Sequence, residues 1–557
     1  MQQEKALAIL KSGKNTFLTG SAGTGKTYVL NNYINYLKER KIPVAITAST
    51  GIAATHMNGM TIHSWAGIGV KDHITHANLV SMKTKKYLKE HLEKVKVLII
   101  DEISMLHKNQ LNAVDDVLQF FKEDNNAFGG VQVVFSGDFF QLPPIGKNGE
   151  TSKEKFSFMS EAWLSANLAV CYLTEQFRQD DNDLNLILNE IRTGSITEKS
   201  YRKLMSTSKN QLNNKAEPTK LFTHNLDVDK INSEHLATLK GATKKFKAKT
   251  KGNKKLLETL KRSVLASADL ELKKGAKVMF VRNNVELGYV NGSLGEILSF
   301  NDEGYPTVEL HNGKIVSAEK EDWTIQDDNA KVLASYNQIP LRLAWAITIH
   351  KCQGMTLDAA LIDLSKTFEK GQGYVALSRL KNLENLQLIG LNEMALKVDS
   401  LALKADRRFD ELSKEVDNDF SIEELDAVAP IFIKKCGGLN NPEEIYKNKR
   451  KIKEKKGKKE TTYSITLSYL KKELPIASIA KERGLSKATI SGHLIKIRKD
   501  HPDENLNFYR PKDAIIEKVR KVYALQSNEE YKSLKLVYDG LKGKVSYDDI
   551  KLAIAFL

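Results

Sequence analysis

One glycine-rich segment, GSAGTGKT at positions 20–27, constrains the fold of this chain more than any other feature. It matches G-x-x-x-x-G-K-[ST] and lies between an apolar run and a helical pattern, which is the setting that a phosphate-binding loop requires. Its glycines let backbone N–H groups wrap a phosphate at the start of a helix, where the helix dipole favours negative charge. Lys26 would neutralise the terminal phosphates and the Thr27 hydroxyl would ligate Mg²⁺. An ordinary glycine-rich turn is the alternative. The predicted nucleotide-binding residues are Gly20, Gly23, Thr24, Gly25, Lys26 and Thr27.

Short apolar runs alternate with helical patterns over most of the chain. Runs that predict strands lie at 15–19, 43–47, 95–100, 131–135, 219–222, 359–364 and 386–389. Runs of this length, separated by helices, are typical of parallel sheets covered on both faces. We therefore predict the α/β class, with a first domain at 1–165 and a second at 166–274 and 339–397.

Other stretches depart from this pattern. Residues 275–338 carry short strands with Asn-Gly turns at 291–292 and 312–313, which predicts a small all-β insertion. Residues 69–92 form a second, smaller insertion. A helical connector and Lys-rich linker at 398–460 would then lead to a compact helical domain at 461–557, because like-charge blocks usually form linkers or arms.

Length and composition exclude several classes of protein. The 557 residues are too many for one core, and contents of 41% hydrophobic and 28% charged residues are ordinary for a folded protein. Apolar runs are too short to span a bilayer, and three isolated cysteines fit a reducing compartment better than a disulfide scaffold. The phosphate loop lies near the N-terminus without an extension before it, which favours a bacterial cytoplasmic protein.

The chain is basic, with 85 Lys and Arg against 69 Asp and Glu and a net charge of +16. Such an excess favours a polyanionic partner, nucleic acid first and an anionic membrane second. Segments 244–262 and 447–459 each hold nine basic residues and one acid, so together they account for the whole excess. The alternative is that these lysines only solvate the surface.

An acidic element, VLIIDE, follows the phosphate loop in the chain. It would end a buried strand with Asp101 and Glu102 at the sheet edge where ligands bind. Asp101 would hold Mg²⁺ and Glu102 would polarise the attacking water, although a surface turn is the alternative for the pair taken alone. Gln141 follows the next strand, where its amide could sense the γ-phosphate. Arg178 and Arg379 could reach the nucleotide from the second domain as arginine fingers, although each alone could form a surface ion pair.

Nine blocks of the chain resemble the motifs of PIF-type (petite integration frequency) helicases, in the RecD-like branch of superfamily one, and they occur in that family's order. The blocks are GSAGTGKT (20–27), TASTGIAA (47–54), TIHSWAGIG (61–69), DEISM (101–105), GDFFQLPPI (137–145), EQFRQ (175–179), ILNEIRTG (187–194), AITIHKCQGMTLD (346–358) and GQGYVALSR (371–379). ILNEIRTG resembles the signature that separates PIF-type proteins from their relatives.

The resemblance implies two RecA-like ATPase domains that use ATP and Mg²⁺. It implies movement along single-stranded DNA in the 5′-to-3′ direction, in DNA repair, recombination or replication and telomere-type maintenance. Single-stranded DNA and forked or tailed duplexes would be the partners of a monomer that does not bind membranes. By the same resemblance Gln3 reads adenine, Gly354 joins the ATP site, residues 69–92 form a strand-separating wedge, and residues 275–338 form a small β-barrel against the DNA.

The DNA path would need backbone contacts and stacking surfaces rather than base readout. Small hydroxyls and glycine allow a phosphate to approach closely, while His63 or His224 could stack or donate. His224 could also be an ordinary solvent-exposed loop histidine, and Trp65 could either line the path or pack in the core. The predicted DNA-binding residues of the ATPase domains are Thr47, Ser49, Gly51, Thr61, His63, Thr223, His224, Asn225, Thr348, His350 and Lys351.

Residues 475–497 have the rhythm of a helix-turn-helix. Gly484 suits the left-handed turn and Ser486 the N-cap of the second helix, whose apolar face is Ile490, Leu494 and Ile497. The remaining positions of that helix are predicted to be exposed, and the first three of them to contact DNA: Lys487, Thr489, Ser491, His493 and Lys496. This domain could anchor duplex DNA, or it could bind protein or merely pack.

Three functions compete at this point. The first is an ATP-dependent DNA helicase, the second an ATP-dependent helix-turn-helix transcription regulator, and the third an inactive DNA-binding scaffold. The helicase alone explains AITIHKCQGMTLD and YVALSR within a second α/β domain, and a regulator has no need of the β-rich insertion. The intact Lys26, Asp101 and Glu102 argue against the scaffold.

Overall fold

The computed structural model describes residues 1–557 except 58, 70–72, 148, 180, 211, 213–217, 225, 285–286, 290, 302, 311–312, 327–331, 458–461, 484, 501 and 525–533. The chain forms two compact units, of which the first holds Met1–Asn301 and Tyr305–Asn448 and the second holds Lys449–Leu557. Within this described part, no helix has both the length and the apolar character needed to cross a bilayer.

The first α/β domain is built on one parallel sheet. Its strands are β1 (Thr16–Gly20), β2 (Val44–Ala48), β3 (Met60–Thr61), β4 (Val97–Asp101), β5 (Gln132–Ser136) and β6 (Ala169–Leu173). Its helices are α1 (Gln3–Lys11), α2 (Lys26–Glu39), α3 (Gly51–His56), α4 (Ile62–Trp65), α5 (His76–Lys83), α6 (Lys86–Lys94), α7 (Lys108–Lys122), α8 (Ser152–Lys155) and α9 (Glu161–Ser165). The strand order is β3-β2-β4-β5-β1-β6, and every neighbouring pair is parallel.

This topology positions the site. All residues of β1 and β5 are buried, as expected of strands covered by helices on both faces. The carboxyl ends of β1, β4 and β5 lie at one edge of the sheet, and the phosphate loop, Asp101 and the GDFFQ loop leave the sheet there. The segment 69–92 contains α5 and α6, with residues 70–72 outside the described residues.

The second α/β domain is interrupted by the β-rich insertion. The helices from here to residue 391 are α10 (Asn182–Thr193), α11 (Glu198–Ser206), α12 (Leu226–Thr238), α13 (Lys254–Ser263) and α14 (Gln372–Leu377). The strands are β7 (Thr219–Phe222), β8 (Lys244–Lys247), β9 (Lys249–Gly252), β10 (Asp269–Leu272), β11 (Lys277–Phe280), β12 (Leu294–Phe300), β13 (Pro306–Leu310), β14 (Ile315–Ser317), β15 (Glu321–Gln326), β16 (Val332–Gln338), β17 (Leu341–Leu343), β18 (Ala346–Thr348), β19 (Ala360–Leu364) and β20 (Leu386–Leu391). A second parallel sheet has the order β18-β7-β19-β20, so the predicted α/β class with two parallel sheets is confirmed.

The β-rich insertion begins earlier than predicted. Its sheets are β14-β13-β12-β11-β17, β15-β16-β9 and β10-β8, with antiparallel pairing. β9 pairs with β16, the Gln338 side chain of β16 donates to the Phe246 carbonyl oxygen on β8 at 2.9 Å, and β8 pairs with β10. Residues 244–272 therefore lie with the insertion, whereas the predicted boundary at 275 placed them in the second α/β domain. The sequences KKFK and KTKG lack the apolar alternation that predicts a strand. The predicted turn at 312–313 lies partly outside the described residues.

The connector is part of the first domain's core and not a separate spacer. Its first two helices, α15 (Ser400–Asp419) and α16 (Ile422–Lys435), pack there, and α17 (Pro442–Gly457) follows and runs into the second unit. The Phe409 ring lies 4.9 Å from that of Phe17 on β1, and the backbone N–H of Tyr172 on β6 donates to Ser413 Oγ at 2.9 Å. The connector therefore covers the β6 edge of the first sheet.

The Lys-rich segment is helical over its described part, where a linker was predicted. Residues 447–457 belong to α17. The Asn441 side chain accepts a hydrogen bond from the N–H of Glu443 at 2.9 Å, and two glutamates in the first turn complement the helix dipole. Lysine has a high helix propensity, so its charge alone does not exclude a helix.

The C-terminal unit is all helical, as predicted. It contains α18 (Thr462–Leu470), α19 (Ile476–Arg483), α20 (Lys487–Asp500), α21 (Asp513–Ala524), α22 (Leu534–Gly540) and α23 (Tyr547–Ala555). Ile479, Ile490, Leu494 and Ile497 are buried in its core, so the predicted apolar face of α20 does point inward. Gly484, predicted at the turn, lies outside the described residues.

Candidate functional site: an ATP cleft beside a DNA path

The phosphate loop joins β1 to α2 through glycines that other residues could not replace. Gly23 and Gly25 have φ angles of +97° and +84°. A Cβ atom on Gly25 would lie 2.1 Å from Gln3 Nε2, which donates to the Thr24 carbonyl oxygen at 3.0 Å. The structure therefore brings Gln3, the residue matched to adenine reading, against the loop.

Lys26 lies at the start of α2 and points back over the loop. Its Nζ donates to the carbonyl oxygens of Gly20 at 2.9 Å and Ser21 at 3.0 Å. Burial lowers the pKa of Lys26, while the carboxylates of Asp138 and Glu102 oppose that shift. A cation held in this way sits where a terminal phosphate would be neutralised.

The EQFRQ segment packs against the same loop. Gln176 Nε2 donates to the Ala22 carbonyl oxygen at 2.9 Å, and the Phe177 N–H donates to that of Gly23 at 3.1 Å. The Phe177 side chain is 56% exposed and lies beside Gly25, so it offers a flat apolar surface next to Gln3. Sequence reasoning missed Phe177, although it lies next to the predicted arginine in the same block.

The two carboxylates after β4 have different surroundings. Burial raises the pKa of Asp101, and the nearby charge of Lys26 opposes the shift. Burial, and then the neighbouring Asp101 charge, raise the pKa of Glu102 to about 7. Glu102 also has a left-handed backbone with φ +51°, and its carbonyl oxygen accepts from Ser49 Oγ at 2.6 Å. A carboxylate perturbed in this way in a cleft is typical of a general base.

Gln353 joins Glu102 to the predicted γ-phosphate sensor. Its Nε2 donates to Glu102 Oε2 at 3.1 Å and to Gln141 Oε1 at 3.4 Å. Gln353 lies in the AITIHKCQGMTLD block, two residues after Lys351. Sequence reasoning placed Thr348, His350 and Lys351 of that block on the DNA path and Gly354 at the ATP site, and it missed this contact of Gln353, because no local pattern indicates which distant side chain a glutamine meets.

The two predicted arginine fingers lie close together. Arg178 Nη1 donates to the Ser378 carbonyl oxygen at 3.1 Å, and Arg379 Nη2 donates to Ser378 Oγ at 2.9 Å. Burial, and then the charge of Arg379, lower the pKa of Arg178 to about 9. Two like charges held together with little water favour an anion in the same place.

A cleft of about 590 Å³ connects these groups with part of the predicted DNA path. The predicted residues that line it are Thr27, Asp101, Glu102, Arg178, His350, Lys351 and Gly354. Thr27 and Asp101 line one cavity, and one carboxylate with a hydroxyl is the sparse protein contribution that Mg²⁺ takes beside substrate phosphates. These residues therefore fit a magnesium ion.

An aromatic row lies on the second domain. The Phe368 ring lies 4.9 Å from His224 and 6.4 Å, nearly parallel, from His350. Phe368 is 54% exposed, His224 is exposed and Lys351 is half-buried. Exposed aromatic rings beside a cation suit the stacking of single-stranded bases. Sequence reasoning found both histidines and missed Phe368, which lies far from them in the chain.

Two predicted DNA contacts do not fit the structure. Thr47 on β2 and Thr348 on the edge strand β18 are both fully buried, and Thr47 Oγ1 donates to the Ile99 carbonyl oxygen at 2.6 Å. A hydroxyl beneath the sheet edge cannot meet a phosphate. Trp65 is also buried and packs near His91, so the core alternative holds for it.

The other predicted contacts of the first domain have mixed surroundings. Ser49 is buried against Glu102, Gly51 and His63 are half-buried, and Thr61 caps α4 by accepting from the Ser64 N–H at 3.3 Å. In the second domain, Thr223 Oγ1 contacts His224 Nδ1 at 2.8 Å. Asn225 lies outside the described residues.

The second helix of the helix-turn-helix exposes only two of the five residues that were predicted to be exposed. Thr489, Ser491 and His493 are buried, whereas Lys487 and Lys496 are exposed. The reason is that α18 and α23 both pack against α20. His493 Nδ1 contacts Thr466 Oγ1 on α18 at 2.7 Å, and Lys551 Nζ on α23 donates to the Ala488 carbonyl oxygen at 3.3 Å. The exposure predicted for Thr489, Ser491 and His493 is therefore wrong.

Three family models match this chain. The PIF1-like helicase model matches residues 2–201, the DNA helicase Pif1 2B domain model matches 255–300, and a helix-turn-helix domain model matches 462–554. The second match begins within α13, in agreement with the earlier start of the β-rich insertion.

Individual relatives and solved structures agree with these models. The ATP-dependent DNA helicase Pif1 of Psychrobacter sp. (strain PRwf-1) is 44% identical over 100% of both chains. The human ATP-dependent DNA helicase PIF1 is 36% identical over 72% of this chain and 62% of its own. The crystal structure of Bacteroides sp. Pif1 with ADP-AlF4 has a TM-score of 0.65 at 32% identity and covers 74% of this chain and 97% of that one.

Proposed function

The chain belongs to the PIF1-like helicase family and is an ATP-dependent DNA helicase, and on that premise we propose that it moves 5′ to 3′ on single-stranded DNA and separates duplexes ahead of it. One observation carries the coupling of hydrolysis to movement. Gln353, on the segment that also holds His350 and Lys351, donates to both Glu102 and Gln141. A DNA strand held at that segment would therefore act directly on the groups around the γ-phosphate.

The proposed chemistry assigns one task to each group. Glu102 orients and deprotonates the attacking water, Lys26 neutralises the terminal phosphates, and Arg178 and Arg379 stabilise the charge of the transition state. Thr27 and Asp101 would hold Mg²⁺, which would neutralise part of the negative charge of the phosphates. Gln3 and Phe177 would hold the adenine.

DNA is the proposed partner on the basis of relatives as well as geometry. The solved structures of similar proteins include Bacteroides Pif1 bound to single-stranded DNA, at 32% identity and a TM-score of 0.53 over 73% of this chain and 96% of that one. The row of Phe368 with His224 and His350 is the surface of this chain that suits such a strand. We also propose that the protein works in DNA repair or recombination and that it is a cytoplasmic monomer.

Strand separation on duplexes with a 5′ tail or a 3′ tail tests the direction. Wild-type protein should separate the 5′-tailed duplex in the presence of ATP, and Lys26→Ala should separate neither. Separation of the 3′-tailed duplex alone would overturn the proposed direction. Intact ATP hydrolysis with no separation of either substrate would favour the transcription regulator.

The C-terminal domain is proposed to anchor duplex DNA or a partner protein near the motor. Because the connector completes the first domain, the informative truncation removes residues 449–557 and keeps α15 and α16. DNA-stimulated ATP hydrolysis should persist and binding to forked DNA should weaken. Unchanged binding in a fork titration would refute the anchor.

A further inference from the structure

The guanidinium of Arg192 fills a buried polar pocket beside the ATP cleft. Its Nη1 donates to Asp138 Oδ1 at 2.8 Å and Oδ2 at 2.9 Å, and its Nη2 donates to Tyr172 OH at 2.7 Å and Asp406 Oδ1 at 3.2 Å. The plane also lies over the Phe140 ring, with its central carbon 4.4 Å from the centroid. Arg192 belongs to the ILNEIRTG block, which has no role in the site described above.

Arg192 reaches this pocket from the opposite domain. Its helix α10 is fixed to the second domain, because Asp181 at the helix N-cap accepts from the Leu383 N–H at 2.8 Å, and Gln179 donates to the Ser378 carbonyl oxygen at 3.1 Å. Asp138 follows β5 and Tyr172 lies on β6, both in the sheet of the first domain. The Arg192–Asp138 pair therefore crosses between the two α/β domains.

A second branch leads from the pair to the phosphate loop. Tyr374 OH donates to Asp138 Oδ2 at 3.1 Å and accepts from the Ala22 N–H at 3.1 Å, while Arg192 Nη1 also contacts it at 3.1 Å. Asp138 begins the loop that carries Gln141, and the Gln141 N–H donates to the Asp138 carbonyl oxygen at 3.0 Å. One guanidinium is thus hydrogen-bonded, directly or through one residue, to the phosphate loop and to the γ-phosphate sensor loop.

Without the arginine, this pocket would contain negative charge that no cation compensates. Asp138 and Asp406 are both acidic and Asp138 is almost fully buried, so removal of the cation would leave two carboxylates facing each other with little water. A bidentate, stacked guanidinium also fixes the orientation of the groups that it binds, which a lysine ammonium does not. These are properties of a group that sets the position of others.

We propose that Arg192 is a positioning residue for ATP hydrolysis, which holds the Gln141 loop directly through Asp138 and the phosphate loop through Tyr374. This inference rests on the ATP-dependent helicase function above. Arg192 does not touch the reacting atoms in this role. It sets the distance between the Gln141 loop and the phosphate loop. It does so from α10, which is fixed to the second domain.

The test compares Arg192→Lys and Arg192→Gln in the full-length protein with wild type. The matched control is Arg202→Lys, because Arg202 is an exposed arginine paired with Glu198 on α11. DNA-stimulated ATP hydrolysis should fall about 100-fold in kcat for Arg192→Gln, the effect of a misplacement of about 1 Å, with KM for ATP changed by less than about threefold. Arg192→Lys should lie between Arg192→Gln and wild type.

A merely structural role gives a different result. If Arg192 only stabilises the fold, the ATP-binding fraction will fall with kcat, and kcat per bound nucleotide will stay at the wild-type value. That outcome, or a folded Arg192→Gln with wild-type kcat, overturns the proposal. Absence of DNA-stimulated hydrolysis in wild type itself would instead refute the proposed function.

Two further variants keep the proposal testable if Arg192→Gln does not fold. Tyr374→Phe keeps the ring and removes the hydroxyl that links Asp138 and Arg192 to the Ala22 N–H, and it should lower kcat by about fivefold. Asp138→Asn combined with Arg192→Lys should be no slower than the slower single variant, because the two groups act as one unit. Wild-type kcat in Tyr374→Phe, or multiplied reductions in the double variant, would contradict the proposal.

Discussion

The ATP cleft and the second helix of the C-terminal domain use buried polar side chains in opposite ways. In the cleft, Gln353 and Glu102 meet across 251 positions of sequence and both line an open cavity. In α20, Thr489 and Ser491 are also buried, but their hydrogen-bond partners lie in the same helix or in the turn before it. Buried polar groups indicate a site when they converge on open space, and they indicate packing when they meet only one another.

Removal of the Gln353 amide should have the largest effect among the tests of this comparison. Gln353→Ala deletes a hydrogen bond to the charged Glu102, so kcat for DNA-stimulated ATP hydrolysis should fall by about 10- to 100-fold. Gln387→Ala is the control, because Gln387 donates only weakly to a surface carbonyl at 3.5 Å. Equal rates for Gln353→Ala and wild type would mean that the contact is not used in turnover.

The next largest effect is expected from a comparison of two exposed phenylalanines, one in the second α/β domain and one in the C-terminal domain. Phe368 and Phe508 are exposed to a similar degree, 54% and 57%, but only Phe368 lies in a row with two histidines. Phe368→Ala should weaken binding of single-stranded DNA by about 1–3 kcal/mol, the contribution of a stacked base. Phe368→Tyr should restore most of it, and Phe508→Ala should have no effect. Equal weakening by both alanine variants would remove the distinction between the surfaces.

Substitutions in α20 should separate packing from DNA contact. Thr489→Ala breaks a 2.8 Å hydrogen bond to Ser486 and should lower the free energy of unfolding by about 1 kcal/mol, without changing the duplex affinity of the folded protein. Lys487→Ala should lower the duplex affinity and leave the free energy of unfolding unchanged, because Lys487 is exposed. Thermal unfolding and a duplex titration measure both. A fall in duplex affinity for folded Thr489→Ala would restore the predicted recognition helix.

Charge on the β-rich insertion should give the smallest effect. Replacing Lys249 and Lys251 on β9 with glutamine should reduce the slope of log affinity against log salt by about 0.7 for each phosphate of a single strand that these lysines neutralise. Lys245→Gln is the control, since Glu271 already pairs with Lys245 at 2.7 Å. An unchanged slope would mean that these lysines only solvate the insertion.

Local sequence patterns predicted much of the cleft, because its key residues follow strands. The phosphate loop, Asp101 and Gln141 each leave the carboxyl end of a buried strand, so their meeting at one edge follows from parallel topology. Gln353, Phe368 and Arg192 could not be found in this way, since their roles depend on partners brought near only by the complete fold.

Errors in the remaining predictions have physical causes of the same kind. Periodicity identified the inner face of α20 but could not reveal that α23, some 50 positions later, covers further positions. The strands β8 and β9 are exposed and lysine-rich, so they carry no apolar alternation. For this reason the sequence pattern did not identify them as strands, and the predicted start of the insertion was too late. Thr47 and Thr348 have the residue type of a phosphate contact but lie too deep in their sheets.

Strand separation by Glu102→Gln tests most directly the claim that hydrolysis in this cleft drives the DNA. The variant keeps the size of the side chain and removes the proposed base, whereas Glu123→Gln changes an exposed carboxylate outside the cleft as a control. With ATP and a 5′-tailed duplex, wild type and Glu123→Gln should separate the strands. Glu102→Gln should bind both ATP and DNA and separate none. Separation by Glu102→Gln at the wild-type rate would contradict the account.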